Sequence, residues 1–202
     1  MEQQGRSKNT QRILIIAAAA LALAAVFLLL DFRVMRGTFR SEHTLTTMSF
    51  GSEGPQTIAM NQPLDVYIQG PAPARDWLAG ALIREIEQNP YVGSVNLCSG
   101  EPEQAENTIL VVRVDGASVF WAAVFGRSRS KIEISYATNG SVDWMDDEVI
   151  KSEPGPYTKW IRGTFEGDDT AFGLMSLRGY YSYLGQQFGA QINSALRNAL
   201  ET

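Results

Sequence analysis

Histidine and cysteine, which carry much of the nucleophilic and zinc chemistry in proteins, each occur once in this 202-residue chain, as His43 and Cys98. A catalytic triad needs a base delivered by a folded scaffold, and a zinc site needs about four ligands. His43 precedes the first strongly predicted core strand and is interpreted as a solvated residue. Cys98 ends a predicted strand and is interpreted as a small buried hydrophobe. We therefore predict no metal ion and no cofactor.

Carboxylates are the remaining groups that could do chemistry, and they cluster in two regions: Asp143, Asp146, Asp147 and Glu148, and then Glu166, Asp168 and Asp169. Paired carboxylates can activate water or bind a cation, but neither cluster has the spacing of a calcium loop. No glycine-rich phosphate loop is present either. Solvated loops are the preferred interpretation, and we predict that the protein is not an enzyme. A carboxylate- or metal-dependent hydrolase using Asp143, Asp147 and Asp168 is the least favoured alternative.

The most unusual stretch after residue 40 is 119–125, VFWAAVF, in which every side chain is apolar. Successive side chains of a strand point to opposite faces, so such a strand is expected to be covered on both. A central core strand is the simpler interpretation. The alternative is the wall of a pocket for a lipid or another apolar ligand, and its candidate binding residues are Phe120, Trp121, Phe125 and Tyr181.

Periodicity predicts the elements that position these residues. Leu64, Val66 and Ile68 alternate with polar or aromatic neighbours, as in a half-buried strand. A helix over 74–88 follows, and Asn89 with Pro90 ends it. Further strands are predicted over 94–98, 108–114, 118–125, 131–138, 141–145 and 158–165, with a loop at 126–130 and an Asn139-Gly140 hairpin turn.

A long C-terminal helix is predicted over 171–199, because one apolar stripe continues through it: Leu177, Tyr181, Leu184, Phe188, Ile192, Ala195 and Ala199. Gly185 and Gly189 lie one turn apart and would permit a close backbone approach. Packing on the protein's own sheet is the preferred interpretation of this helix. A homodimer face is the alternative.

Residues 13–30, ILIIAAAALALAAVFLLL, contain no charge and no helix breaker. At about 1.5 Å per residue, a helix of this length covers about 27 Å, close to the hydrocarbon thickness of a bilayer. We predict a single transmembrane helix that acts as an uncleaved signal anchor. Residues 1–12 would form a short basic cytoplasmic tail, 31–63 a juxtamembrane stalk with a possible edge strand, and 64–202 a soluble domain outside the cytoplasm.

Charge is divided unevenly along the chain. Residues 1–43 hold six Lys and Arg against three Asp and Glu, whereas residues 44–202 hold eleven against nineteen. Nucleic acid binding needs a basic surface, so the acidic domain argues against a nucleic acid partner.

The predicted fold is therefore α+β, with a mostly antiparallel sheet of about five to six strands, one short helix and a long C-terminal helix. This order resembles in outline small envelope lipoproteins that assist transporter and lipid-export assemblies, although no lipid-attachment cysteine follows the apolar run. The expected function is that of a membrane-anchored, extracytoplasmic accessory or scaffold protein of the cell envelope, with a protein partner there. A binding module for a lipid or other apolar ligand is the second interpretation.

Overall fold

The computed structural model describes residues 3–50, 58–72, 74–100, 107–138 and 158–201. Its elements follow in the order α1 (Gln3–Leu29), β1 (Arg33–Phe50), β2 (Gln62–Gln69), α2 (Ala74–Ile86), β3 (Val92–Leu97), β4 (Thr108–Ala122), β5 (Phe125–Ala137), β6 (Thr158–Met175) and α3 (Leu177–Glu201). The α+β class and the long C-terminal helix are confirmed. The predicted strand 141–145, the Asn139-Gly140 turn, Asp143 and Asp147 lie outside the described residues.

The six strands form one mixed sheet in the order β1-β6-β5-β4-β2-β3. The chain runs antiparallel between β1, β6, β5 and β4, whereas β2 is parallel to both β4 and β3. The parallel pairing of β2 with β3 arises because α2 connects them, and a crossover helix returns the chain in the same direction.

Both α2 and α3 cover one face of the sheet, and the main core lies beneath them. The alternation predicted for β2 is confirmed, since Leu64, Val66 and Ile68 all belong to this core. Full burial of each such side chain contributes about 1.5–3 kcal/mol relative to exposure. Members from the other elements include Leu82, Ile86, Leu110, Val112, Ile132, Ile134, Phe165, Phe188 and Ile192.

The predicted close approach at Gly185 and Gly189 occurs, and α2 of the same chain lies against them. A Cβ atom on Gly185 would lie 2.7 Å from the Leu78 carbonyl oxygen, and one on Gly189 would lie 2.9 Å from Cβ of Glu85. Real Cβ atoms do not approach other atoms this closely, so only glycine fits where the two helices cross.

The predicted loop at 126–130 is wrong, because these residues belong to β5. The two strands predicted over 108–114 and 118–125 are one strand, β4, with a register shift between Val114 and Gly116. The chain turns at 123–124 instead. The glycine that suggested a loop has a packing role, since a Cβ on Gly126 would lie 2.8 Å from the Tyr180 ring.

The predicted helix start at residue 171 is also wrong, because β6 continues to Met175. Asp169, Ala171 and Met175 point into the protein while Asp168 and Phe172 point out, which is the alternation of a strand. α3 then begins at Leu177. Its N-cap is Ser176, whose Oγ accepts a hydrogen bond from the Gly179 amide at 2.8 Å.

Residues 33–50, which were predicted within the stalk with a possible edge strand, form the edge strand β1 and pair with β6 along its whole length. The physical reason is that several β1 side chains contribute to the cores. Phe39 and Leu45 pack on the main core, and the Phe39 ring meets Phe188 edge to face, with 5.1 Å between the ring centroids. His43 stacks on the ring of Phe165, at 5.3 Å between centroids.

α1 projects from the start of β1, and its side chains are exposed over residues 11–25, the part of this helix whose side chains are described. Within the described ranges, no helix combines the length and apolarity of a membrane span. The predicted transmembrane helix at 13–30 is thus not supported here.

Candidate functional site

The face of the sheet opposite α2 and α3 carries a cluster of apolar side chains that are exposed except for the half-buried Phe125. We call this cluster the aromatic patch and define it as Val34, Phe120, Val124, Phe125, Phe172 and Leu174. The Phe125 ring lies 5.0 Å from that of Phe172 and 6.0 Å from that of Phe120, measured between centroids. Phe120 is 61% exposed, Phe172 62% and Val34 77%. Soluble proteins rarely leave aromatic groups clustered in water, so the patch is a candidate binding surface.

Cross-strand pairing brings the patch together from four strands. Phe125 lies opposite Phe172 on β6 and Ala122 on β4, and Phe172 in turn lies opposite Arg36 on β1. Directly paired residues point to the same face, so Arg36 on β1, Phe172 on β6, Phe125 on β5 and Ala122 on β4 place their side chains on one surface. Val34 pairs with Leu174 at the next position of this face.

The β4–β5 turn completes the patch and is fastened to β6 by the backbone. The Gly173 amide donates to the Val124 carbonyl and the Met175 amide to the Ala123 carbonyl, both at 3.0 Å. Gly173 has a φ of +131°, a conformation that side chains other than glycine rarely adopt. A Cβ atom at this position would also collide with the backbone of Val34 and Met35, so glycine permits the close approach of β6 to β1.

Basic side chains surround the aromatic patch. Arg36 pairs with Phe172 across the strands, and Arg127 pairs with Phe120. Both are exposed, and neither forms an ion pair with a described residue. The aromatic patch is therefore bordered by two guanidinium groups that have no ion-pair partner in the described part of the chain.

Farther from the patch, the same face becomes charged and paired. Arg129 bonds to Asp168 at 2.9 Å, and Lys131 lies 3.0 Å from both Asp115 and Glu133. The hydrogen bonds to Glu133 and Asp115 raise the pKa of Lys131. Arg129, Lys131 and Asp168 line a shallow groove of about 680 Å³, together with Glu166. Exposed pairs of this kind contribute little to stability.

The structure does not bring the four predicted ligand-binding residues into one pocket. Phe120 and Phe125 belong to the aromatic patch, whereas Trp121 packs on the opposite face of the sheet, near Tyr180. Tyr181 lines a cavity of about 30 Å³ beneath the helices, with Val119. That volume holds about one water molecule, and sites for small ligands are roughly tenfold larger or more.

The prediction that residues 119–125 are covered on both faces is wrong, because Phe120 is exposed. These residues form the end of β4 and the turn, where one face meets the helices and the other is open. Sequence reasoning missed Phe172, Leu174 and Val34 because it placed them in a helix and a stalk. The signal available was the alternation of Thr170, Phe172 and Leu174 with smaller residues.

On the helix side, a buried carboxylate joins β6 to α3. Asp169 is only 2% exposed, and it accepts hydrogen bonds from Tyr180 Oη at 2.9 Å and from Tyr183 Oη at 3.2 Å. Burial raises the pKa of Asp169, and it also raises that of Tyr180. Burial and the Asp169 charge raise the pKa of Tyr183 to about 12. The cluster is enclosed, so we interpret it as a structural link.

Asp168, the described member of the hydrolase hypothesis, is exposed and engaged with Arg129. Over the described part of the chain, no three His, Cys, Asp or Glu side chains are placed to hold a metal ion. Cys98 is half-buried, and burial together with the Asp65 charge raises the pKa of its thiol. A raised pKa lowers the thiolate fraction and hence the reactivity of Cys98.

No protein-family model matches the chain. No curated protein sequence matches it either. Among solved structures, the chain is similar to a PelC dodecamer from Paraburkholderia phytofirmans, with 13% identity, a TM-score of 0.36 and coverage of 77% of this chain and 98% of that one. A substituted form of the same protein gives 12% identity, a TM-score of 0.33 and coverage of 78% and 98%. At these TM-scores the likeness establishes neither a shared architecture nor a shared function.

Proposed function

We propose that this protein is a non-enzymatic, membrane-anchored accessory or scaffold protein of the cell envelope. Residues 13–30 hold it in the membrane, residues 1–12 lie in the cytoplasm, and the sheet domain lies outside. The domain presents binding surfaces to a protein partner in the envelope.

The observation that carries this proposal is the uninterrupted apolar run of residues 13–30, of which 13–29 lie on α1, a helix whose described side chains are exposed. Ile13 is 66% and Leu21 72% exposed, so the domain itself does not cover them. Transfer of such side chains out of water yields about 25 cal/mol per Å². A helix also satisfies its own backbone hydrogen bonds in lipid.

Support for a scaffold role comes from the edge of the sheet. β1 is 18 residues long and lies at the edge, so one side of it faces no other strand of the described sheet. An open edge can receive a strand from a partner through backbone hydrogen bonds. Arg36 and Arg40 on this strand are charges of the kind that discourage indiscriminate pairing.

Cys98 allows a direct test of the topology, because it is the only cysteine in the sequence. A maleimide that does not cross membranes should label it in spheroplasts without permeabilisation. The raised pKa of Cys98 slows this reaction, so a Cys98→Ser, Ser194→Cys variant, with the new thiol on an exposed helix position, serves as the fast-reacting control. Labelling of either thiol only after permeabilisation would contradict the proposed topology.

The partner is tested by affinity capture from membranes solubilised in mild detergent. We expect a stoichiometric partner that cross-links to β1 through a photoreactive group placed at Thr46 or Thr47, which are exposed. Capture of the chain alone, in repeated preparations, would count against the scaffold role. A matched photoreactive group at Ser194 on α3 is the control.

Binding of an apolar ligand is the second candidate function, and the aromatic patch is the observation that favours it. The cavity of about 30 Å³ next to Tyr181 argues against an enclosed site. Saturable binding of a fluorescent fatty acid to the purified protein would favour the ligand-binding function instead, provided that Phe172→Ser abolished this binding.

A further inference from the structure

We propose that the aromatic patch rests on the surface of the same bilayer that holds residues 13–30. Its apolar side chains would enter the boundary between headgroups and acyl chains, while Arg36 and Arg127 would contact anionic headgroups. This inference rests on the proposed membrane anchor, and it adds a second, peripheral contact that fixes the orientation of the domain.

Position is the first argument. The apolar run ends at Leu30, and Val34 of the aromatic patch follows four residues later. At about 3.5 Å per residue, the chain can separate these two positions by at most about 14 Å. The Phe32 amide and the Ser176 Oγ are bonded at 3.1 Å, so the exit from α1 is held against the end of β6, next to Leu174. The aromatic patch therefore occupies the end of the sheet nearest the proposed anchor.

The charge gradient along the open face is the second argument. Rows of side chains on this face are spaced by two residues, about 7 Å. The row nearest α1 contains Val34 and Leu174, and the next ones bring in Arg36 and then Arg127 beside aromatic rings. The fifth row contains Glu42, Glu166 and Lys131, where acidic groups outnumber the single cation, and the rows beyond it carry Glu133, Arg113 and Arg162. Near α1, apolar groups share rows with the cations Arg36 and Arg127, and farther along the face come ion pairs and the acidic fifth row; the end near α1 is therefore the part that matches a surface of anionic lipid.

A second copy of the chain fits this surface less well. In a two-fold interface the same patch meets itself, so the four guanidinium groups of Arg36 and Arg127 from the two protomers would lie within one interface. Like charges oppose association when an interface excludes water. Anionic headgroups instead complement both guanidinium groups. A fluid bilayer also needs no specific shape complementarity to the apolar patch.

The test uses the full chain reconstituted in vesicles of phosphatidylcholine and phosphatidylglycerol. A polarity-sensitive fluorophore is attached to Val124→Cys in a Cys98→Ser background, with Leu174→Cys as a second probe position and Ser194→Cys on α3 as the control. We expect the Val124 and Leu174 probes to show blue-shifted emission, quenching by nitroxide-labelled lipids and protection from aqueous iodide. The Ser194 probe should show the opposite pattern.

Failure of the anchor and failure of the patch give different results. Release of the protein from the vesicles by alkaline carbonate would overturn the proposed anchor, whatever the probes report. Retention with iodide-accessible probes at Val124 and Leu174 would overturn the patch contact alone. Retention with probes that neither iodide nor nitroxide lipids reach would also overturn it, because protein would then cover the patch.

The headgroup contact is tested separately with Arg36→Gln combined with Arg127→Gln. In vesicles with phosphatidylglycerol, we expect this variant to lose much of the nitroxide quenching at Val124. The protein with both arginines intact should show a similar loss in vesicles of phosphatidylcholine alone. Arg129→Gln is the matched control, since Arg129 is already paired with Asp168. Equal quenching in the double variant and the control would overturn the role of these two arginines.

Discussion

Tyr180 Oη donates a hydrogen bond to Oδ2 of Asp169 over 2.9 Å, and this bond joins the first turn of α3 to the buried face of β6. Gly126 on β5 leaves the space that the Tyr180 ring fills. The contact thus fixes α3 on the same end of the sheet that carries the aromatic patch on its other face.

Tyr180→Phe should lower the free energy of unfolding by about 1–3 kcal/mol, because Asp169 would remain buried with one donor fewer. Urea unfolding followed by circular dichroism measures the loss. Tyr183→Phe is the matched control, since its hydroxyl makes the longer bond of 3.2 Å to the same carboxylate and is less buried. We expect a smaller loss for that variant, and equal losses would contradict the assigned order.

Asp169 should make the protein less stable as pH rises. Its pKa is raised in the folded protein, so the folded state holds the proton more tightly than the unfolded state does. The resulting stability is present below the unfolded pKa and is lost as pH rises through the folded pKa. The free energy of unfolding of Asp169→Asn, relative to that of the wild type, should therefore increase as the pH is raised from acidic to neutral. A difference in the free energy of unfolding between the two proteins that stays constant across this pH range would contradict the prediction.

Glycine at the α2–α3 crossing should not tolerate alanine. Gly185→Ala would place Cβ 2.7 Å from the Leu78 carbonyl oxygen, and the required backbone shift should cost about 1–3 kcal/mol. Gly80→Ala in α2 is the matched control, because a Cβ there meets no atom within 4 Å. That change should stabilise the protein by about 0.5–1 kcal/mol through helix propensity. The midpoint of thermal unfolding should fall for Gly185→Ala and rise for Gly80→Ala, and a rise for both would contradict the steric explanation.

Ser176→Ala should destabilise the protein by about 0.5–2 kcal/mol, because α3 would lose its N-cap. The same hydroxyl also contacts the backbone of Phe32, so hydrogen exchange should quicken at both the Gly179 and Phe32 amides. Ser194→Ala, at an exposed position of the same helix, should change stability by less than about 0.5 kcal/mol. Faster exchange confined to Gly179 would show that Ser176 caps the helix without holding the start of β1.

The charges that flank residues 13–30 should control orientation in a membrane. Arg6, Lys8 and Arg12 precede this run, and Arg33, Arg36 and Arg40 follow it. Neutral replacement of the first three should invert a fraction of the molecules, since Lys and Arg favour the cytoplasmic side. Maleimide labelling of Cys98 measures that fraction. An unchanged labelling yield in the triple variant would show that these charges do not set the topology.

Local patterns in the sequence determined the elements whose signals lie within a few residues. The alternation of Leu64, Val66 and Ile68 located β2, and the four-residue spacing from Leu184 to Phe188 to Ile192 located the buried face of α3. Each signal works because a single element repeats its geometry every two or every 3.6 residues. The glycines of α3 were also interpreted correctly as a close approach, although their partner could not be identified.

Only the tertiary structure decided which residues share a surface. Gly126 suggested a loop, yet it makes room for the distant Tyr180 ring, and sequence spacing carries no trace of that contact. Asp168 and Asp169 suggested one acidic loop, but they are neighbours in a strand and face opposite sides of the sheet. The aromatic patch takes its side chains from four strands, from Val34 to Leu174. Pairing between distant strands brings those side chains together, and strand register depends on contacts that no local pattern specifies.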